Sequence, residues 1–407
     1  MSADDGSTDG AAMDHRSTGD SLTRRLLSAR EWLREVSPLT ERRPPAAGGR
    51  VERRRLDGRS YDLFVPERAD RSGRVLPLVV MLHGCGSSPT TFAAETRMNA
   101  VAAAEGFLVA YPKQSIRQQP LRCWRWYDES QATRDNGDLA FVTRVVEAVS
   151  GRHAVDADRT YVAGHSAGGA MAIRALAEYP DVFAAAGVHA GLPYDDTGSW
   201  PSALWRMWTG GSARPDLDEV VSAAVVDPDR PLPTIVFHGT DDDVVDVENA
   251  RRLTVQVVRA NDLHGRSMST DGGALARNRS SAAGEPKRTE GTGGDGLEPD
   301  AIETGAAGPH EWTRRQFRDR AGRVLVEEWL IEGMGHVWTG GAGHDGAGVH
   351  EELDASRLTW AFFERHSTAE LAGDGRWRPV QLPLVGTVGV PTLRGVLDRV
   401  RRRVRSR

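Results

Sequence analysis

Cysteine and lysine are almost missing from this chain: Cys85 and Cys123 are the two cysteines, and Lys113 and Lys287 the two lysines, in 407 residues. Two cysteines cannot build a zinc site by themselves, and they leave two readings open, a pair of thiols or one bridge. No H-E-x-x-H run occurs, so neither a metal nor another cofactor is expected. Long apolar runs are absent too; nothing approaches the roughly 18 residues that a membrane-spanning helix needs. The start, Met1-Ser-Ala-Asp-Asp-Gly6, has neither a basic opening nor an apolar core, so no secretory signal is read and a cytoplasmic location is the expectation. A net charge of -5 excludes a field that would attract nucleic acid, and none is expected as a partner. With positive charge carried almost wholly by Arg, a GC-rich coding bias is the plain explanation. Hydrophobic content of 39% and charged content of 27% suit a soluble enzyme. The length allows one large domain with extensions or two smaller ones.

What is present is organised around Tyr161-Val-Ala-Gly-His-Ser-Ala-Gly-Gly-Ala-Met171. Apolar residues suited to a buried strand run into Gly164-His165-Ser166-Ala167-Gly168, and an Ala/Met/Ile/Leu-rich helix follows until Pro180. Strand, G-x-S-x-G, helix is the nucleophile-elbow pattern, which places Ser166 at the apex of a tight turn. Glycine is required at 164 and 168 because a Cβ there would strike neighbouring backbone.

Around the elbow, nearly continuous apolar runs (Leu76–Leu82, Phe107–Tyr111, Phe183–His189, Pro233–Gly239, Val324–Ile331) alternate with helical stretches (Thr90–Glu105, Leu139–Gly151, Asn249–Ala260, Asp354–His366). Such alternation predicts an α/β fold with a mostly parallel, doubly wound sheet and helices on both faces. Tyr61, Leu63 and Val65 alternate with polar residues, as a half-buried edge strand does. Residues 191–231, with Trp200, Trp205 and Trp208, are too long for a simple crossover and can cover the site as a cap. The expected organisation is a polar extension at 1–50 with one short amphipathic helix (Ser21 to Val36), a catalytic domain at 51–263 and 310–368, a disordered insertion at 264–309, and a basic extension at 369–407. In the last, a stripe of Leu393, Val396, Leu397, Val400 and Val404 opposes five arginines within 393–407. A solvated tail is the bland reading, and weak contact with an anionic surface the other.

A serine nucleophile needs a base within reach and a carboxylate to hold that base in the right tautomer. In hydrolases of this fold the chain order is Ser, then acid, then His. After Ser166, the strand Thr234–His238 runs into Gly239-Thr-Asp241-Asp242-Asp243, and an acid just past a strand lies on the elbow's edge of the sheet. Past Ile331 comes Gly333-Met-Gly-His336-Val-Trp338-Thr-Gly-Gly341, a Gly-flanked histidine on the same edge. As bases, His165 sits inside the elbow, His189 precedes the acid, and His344 and His350 follow no strand. The oxyanion of a tetrahedral intermediate needs two backbone donors, each worth on the order of 3 kcal/mol. The amide of Ala167 is one, and His83-Gly84-Cys85, resembling an H-G-G-G loop, offers that of Cys85.

Five blocks together resemble the polyhydroxybutyrate depolymerase family of esterases, in the α/β-hydrolase superfamily: His83-Gly-Cys85, Cys123-Trp-Arg-Trp126, Gly164–Met171, Gly191-Leu-Pro-Tyr194 and Gly333–Gly341. The resemblance spans roughly 55–366 apart from the insertion. It implies the α/β-hydrolase fold and ester hydrolysis by Ser166, Asp242 and His336, with Asp242 picked out by the family's His-Gly-x-x-Asp-x-x-Val. It also implies a substrate that is a hydroxyalkanoate polyester or a related small ester, with a feruloyl or acetyl carbohydrate ester as the alternative. A non-catalytic protein on the same fold is the reading from another class. The resemblance pairs Cys85 with Cys123 as a bridge, which suits an extracellular location. Trp124, Trp126 and Trp338 lie beside these loops and are candidates to line an acyl pocket or to brace the loops.

Overall fold

The structure is a computed structural model that describes residues 48–72, 75–194, 198–210, 230–261, 297–341 and 353–371. The expected amino-terminal helix, the basic stripe, and residues 262–296 lie outside the described residues, as do His344 and His350.

Strands β1 (Gly49–Leu56), β2 (Arg59–Pro66), β3 (Leu76–Leu82), β4 (Leu108–Pro112), β5 (Val155–His165), β6 (Ala185–His189), β7 (Thr234–Gly239), β8 (Ala301–Ala307), β9 (His310–Arg318) and β10 (Val324–Ile331) form one sheet. Their order is β1-β2-β4-β3-β5-β6-β7-β10-β9-β8. The six inner strands, from β4 to β10, pair in parallel. Antiparallel hairpins flank them: β1-β2 on one side, β9-β8 on the other.

The apolar runs read as central strands are covered on both faces, and alternate residues go to opposite sides. Leu78, Val80 and Leu82 enter one core cluster, while Val79 and Met81 enter the other. Likewise Val162 faces one cluster, and Tyr161 and Ala163 the other. The helix after the elbow, Ala167–Glu178, is buried along its whole length, which explains its small side chains. The stretch read as one helix at Thr90–Glu105 is two, Pro89–Thr96 and Met98–Glu105, broken where Arg97 turns left-handed at φ 55°.

One correction concerns the insertion. Its carboxy-terminal part is not disordered: Ala301–Ala307 forms β8, paired with β9 along its length. A two-residue loop joins them, Gly308-Pro309, with Gly308 at φ 59°. The strand's side chains stay largely exposed, so composition did not reveal it; backbone hydrogen bonds hold it. Beneath, two carboxylates of β10 are buried and matched from β9. Arg314 and Gln316 reach Glu327, each at 2.9 Å, and Arg315 reaches Glu328 at 2.5 Å.

Of the stretch read as a cap, the helix Trp200–Thr209 is described. It is tied to the helix Glu248–Ala260 through Asn249 Nδ2, which donates to the carbonyls of Arg206 and Met207, each at 3.2 Å.

Candidate active site

β5 ends at His165, and the chain reverses into the next helix through Ser166, whose φ of 55° and ψ of -123° are strained for a residue with a side chain. A Cβ on Gly164 would run into the Gly168 carbonyl, and one on Gly168 into the carbonyl oxygen of Leu82. Both glycines are thus required by close approach. Ser166 is buried, and its N–H donates to the His189 carbonyl at the end of β6 (2.9 Å).

The candidate acid follows β7. Asp242 is buried, while Asp241 and Asp243 are exposed, which separates the three neighbouring carboxylates. Its Oδ1 accepts the N–H groups of Val244 (2.9 Å) and Val245 (2.8 Å), and its Oδ2 accepts His336 Nδ1–H at 2.7 Å. His238 adds to this: its Nε2–H donates to the Val245 carbonyl at 2.8 Å and lies 3.4 Å from the same Oδ2. Burial works to raise the Asp242 pKa, but the two imidazoles outweigh it and hold the carboxyl well below its usual range. Because His336 Nδ1–H donates to Asp242, the ring presents its lone pair at Nε2. That atom is buried without a hydrogen-bond partner, and no bond joins it to Ser166 Oγ in this structure. His165 lies against the His336 ring, with centroids 4.6 Å apart.

Two histidines set aside as bases are structural neighbours of the site. The His189 Nε2 accepts the backbone N–H of Thr339 at 2.9 Å, so it ties the loop bearing His336 to the elbow that its own carbonyl holds. Burial, reinforced by neighbouring imidazoles, keeps both His165 and His189 well below the usual histidine range. Sequence reasoning passed over His189 and His238 as partners, because only the fold reveals where their ring nitrogens point.

On the other side of Ser166, the loop after β3 approaches so closely that a Cβ on Gly84 would lie 3.5 Å from Ser166 Cβ. Outside the helices and strands, the amides of Cys85 and Ala167 make no backbone hydrogen bond among the described residues. Cys85 and Cys123 are joined by a disulfide that closes a separation of 38 residues.

The tryptophans behave as braces. Fully buried, Trp124 donates Nε1–H to the His83 carbonyl at 3.0 Å. Trp338 stacks on His189 at 4.8 Å and donates to Ser356 Oγ at 3.1 Å. Both indole N–H groups hold loops, which supports the bracing alternative for these two. Trp126, also buried, does line a small cleft with Leu192, Pro193, Arg206, Gly210, Asn249 and Arg252. Behind them lies a polar core that sequence reading missed. Asp138 accepts from Arg59 Nη1 (3.0 Å), Gln114 Nε2 (2.6 Å) and Arg125 Nη2 (3.1 Å). Burial lowers the Arg59 pKa to about 10 against the opposing pull of Asp138.

A parallel central sheet with a strained serine elbow, an acid after one strand and a histidine after the next defines an α/β-hydrolase. The sequence profile of the Esterase PHB depolymerase family matches residues 59–277, more than half of the 407 residues, and the chain belongs to that family. Poly(3-hydroxyalkanoate) depolymerase C of Paucimonas lemoignei is 28% identical over 262 residues, covering 64% of this chain and 54% of that protein. Feruloyl esterase B of Thermothelomyces thermophilus is 29% identical over 133 residues, covering 32% of this chain and 44% of that protein. This chain therefore spans about half the length of these curated relatives. An acetyl xylan esterase structure from Aspergillus awamori superposes with a TM-score of 0.55 at 17% identity, over 78% of this chain and 100% of that one, a likeness of fold.

Proposed function

We propose that the protein is a serine hydrolase of carboxylic esters, acting through an acyl-enzyme on Ser166, Asp242 and His336. The observation that carries this reading is the 2.7 Å bond from His336 Nδ1 to buried Asp242, which leaves Nε2 as base on the elbow's edge of the sheet. In the first half-reaction, Ser166 Oγ bonds to the ester carbonyl carbon as its proton passes to His336 Nε2. The carbonyl π electrons move onto oxygen, where the amides of Cys85 and Ala167 receive them. Collapse of that intermediate breaks the bond to the alkoxide, which takes the proton from His336. Water then repeats the sequence and frees the acid.

The substrate class we favour is a hydroxyalkanoate ester, as polymer or soluble oligomer. Its support is that the relative named for poly(3-hydroxyalkanoate) aligns with about twice as much of this chain as the feruloyl esterase does. A feruloyl or acetyl carbohydrate ester is the second reading, supported by relatives bearing those names. The Cys85–Cys123 bond supports an extracellular site of action over a cytoplasmic one. Purified protein and its Ser166→Ala variant should be assayed on hydroxybutyrate oligomers, aryl esters of rising chain length and methyl ferulate. Turnover highest on the oligomers, and reduced by several orders of magnitude in a folded Ser166→Ala variant, is the expected result. Highest turnover on methyl ferulate selects the second reading, and equal turnover by the variant refutes the mechanism.

A further inference from the structure

The Gly84 carbonyl, which shares a peptide unit with the proposed oxyanion donor at Cys85, meets the His83 ring at 2.8 Å and the Ser87 N–H at 3.3 Å. We infer that His83 is a positioning residue whose ring aims the Cys85 N–H at the oxyanion; this rests on the serine-hydrolase reading above.

The tautomer of His83 follows from its partners. Its Nε2 lies 3.1 Å from the backbone N–H of Gln114, which can only donate, so Nε2 carries the lone pair. The proton is therefore on Nδ1, which donates to the Gly84 carbonyl at 2.8 Å. That carbonyl and the Cys85 N–H belong to one peptide unit. The unit is planar and trans, so its C=O and N–H point in opposite directions. Holding the Gly84 oxygen against the imidazole thus directs the Cys85 hydrogen away from it, and the loop's close approach to Ser166 puts the elbow beside this peptide.

Further contacts hold the loop and the ring's partner in place. Trp124 Nε1–H holds the His83 carbonyl at 3.0 Å. Gln114, which supplies the N–H to Nε2, has its own side chain fixed by Arg59 (2.8 Å), Asp138 (2.6 Å) and the Cys123 carbonyl (3.1 Å). The disulfide anchors Cys85 itself. Complete burial pushes the His83 pKa down to about 4, so the ring stays neutral and keeps one donor and one acceptor through the neutral range. A second proton would set Nε2–H against the Gln114 N–H and undo the arrangement.

The two ring nitrogens can be tested separately. His83→Gln offers an oxygen near the Nε2 position but no donor near Nδ1, whereas His83→Asn offers a donor near Nδ1. The readouts are kcat and KM on an aryl butyrate, together with the ratio of kcat/KM for that ester over its thiono counterpart. Sulfur accepts hydrogen bonds poorly, so the ratio reports the aim of the oxyanion donors and does not move with a general loss of stability. For His83→Gln, kcat is expected to fall about 100-fold, the lower range for loss of one oxyanion donor, with KM within about twofold and the ratio markedly reduced. His83→Asn should recover kcat to within about tenfold of wild type, with the ratio restored. Should His83→Gln fail to fold, His83→Met, of similar length and with no donor, is read in the same way. A folded donor-less variant with the wild-type ratio overturns the inference, as does a folded His83→Asn as impaired as His83→Gln. Wild-type protein inactive on every ester sinks the serine-hydrolase reading and this inference with it, whereas active wild type with an unmoved ratio sinks this inference alone.

Discussion

On one side of Ser166, the His83-Gly84-Cys85 loop is held by uncharged contacts: a neutral imidazole, an indole N–H and a disulfide. On the other side, the loop bearing His336 meets an ionised carboxylate that two imidazoles approach. The difference follows the chemistry proposed for each side. A donor for a developing oxyanion has to be rigid and already aimed, which neutral groups in a dry setting achieve without titrating. A base has to change charge in every cycle, so a permanent negative partner lies behind it.

Asp242→Asn breaks the charged side. The amide presents a donor as readily as an acceptor, so His336 loses its fixed tautomer. We expect kcat to fall about 10⁴-fold with the fold intact, measured by steady-state kinetics beside circular dichroism. A loss below tenfold would mean that a neighbouring carboxylate serves equally well.

Replacing both cysteines by alanine breaks the uncharged side. The 38-residue separation closed by the bond corresponds to roughly 4 kcal/mol of chain entropy. The midpoint of urea unfolding should drop accordingly, with a smaller loss of kcat than Asp242→Asn gives, because His83 and Trp124 still hold the loop. An unchanged midpoint would mean that the bond restrains nothing.

Acid probes both sides, since the buried neutral histidines, His165 and His189 beside His336 among them, titrate in a different window from Asp242. His83 is a base whose pKa burial depresses from 6.5 to about 4, and His366 on the far side of the domain shifts likewise. The unfolded chain binds those protons first. Their contribution to stability is therefore complete above about pH 6.5 and lost progressively from there down to about pH 4, at about 1.4 kcal/mol per unit for each group. Asp242 is a depressed acid, so its contribution holds above its ordinary value of 3.8 and is lost only below that. Stability measured by urea titration should thus begin to fall between pH 6.5 and 4 in wild type. His83→Asn should remove part of that slope, and a slope identical in the two proteins would contradict the assignment.

The elbow and the two loops that bring Asp242 and His336 together were legible because each is a local pattern: glycines at fixed offsets about Ser166, and loops after strands at Asp242 and His336. The central strands were legible from their apolar runs. β8 was not, because an edge strand held by backbone bonds leaves no side-chain signature. The partners of the Trp124 and Trp338 indole N–H groups were also out of reach, since only tertiary contacts decide where each ends. His83, His189 and His238 escaped for the same reason: the sequence places the rings, and tertiary contacts decide which nitrogen carries the proton.

The central claim is that Ser166 carries the acyl group, and the most direct measurement is to map a covalent probe. Native protein treated with a fluorophosphonate and digested should yield one phosphonylated peptide, modified at Ser166. Labelling should vanish in Ser166→Ala and slow by orders of magnitude in Asp242→Asn. A label on any other residue, or none on folded protein that hydrolyses esters, would contradict the account.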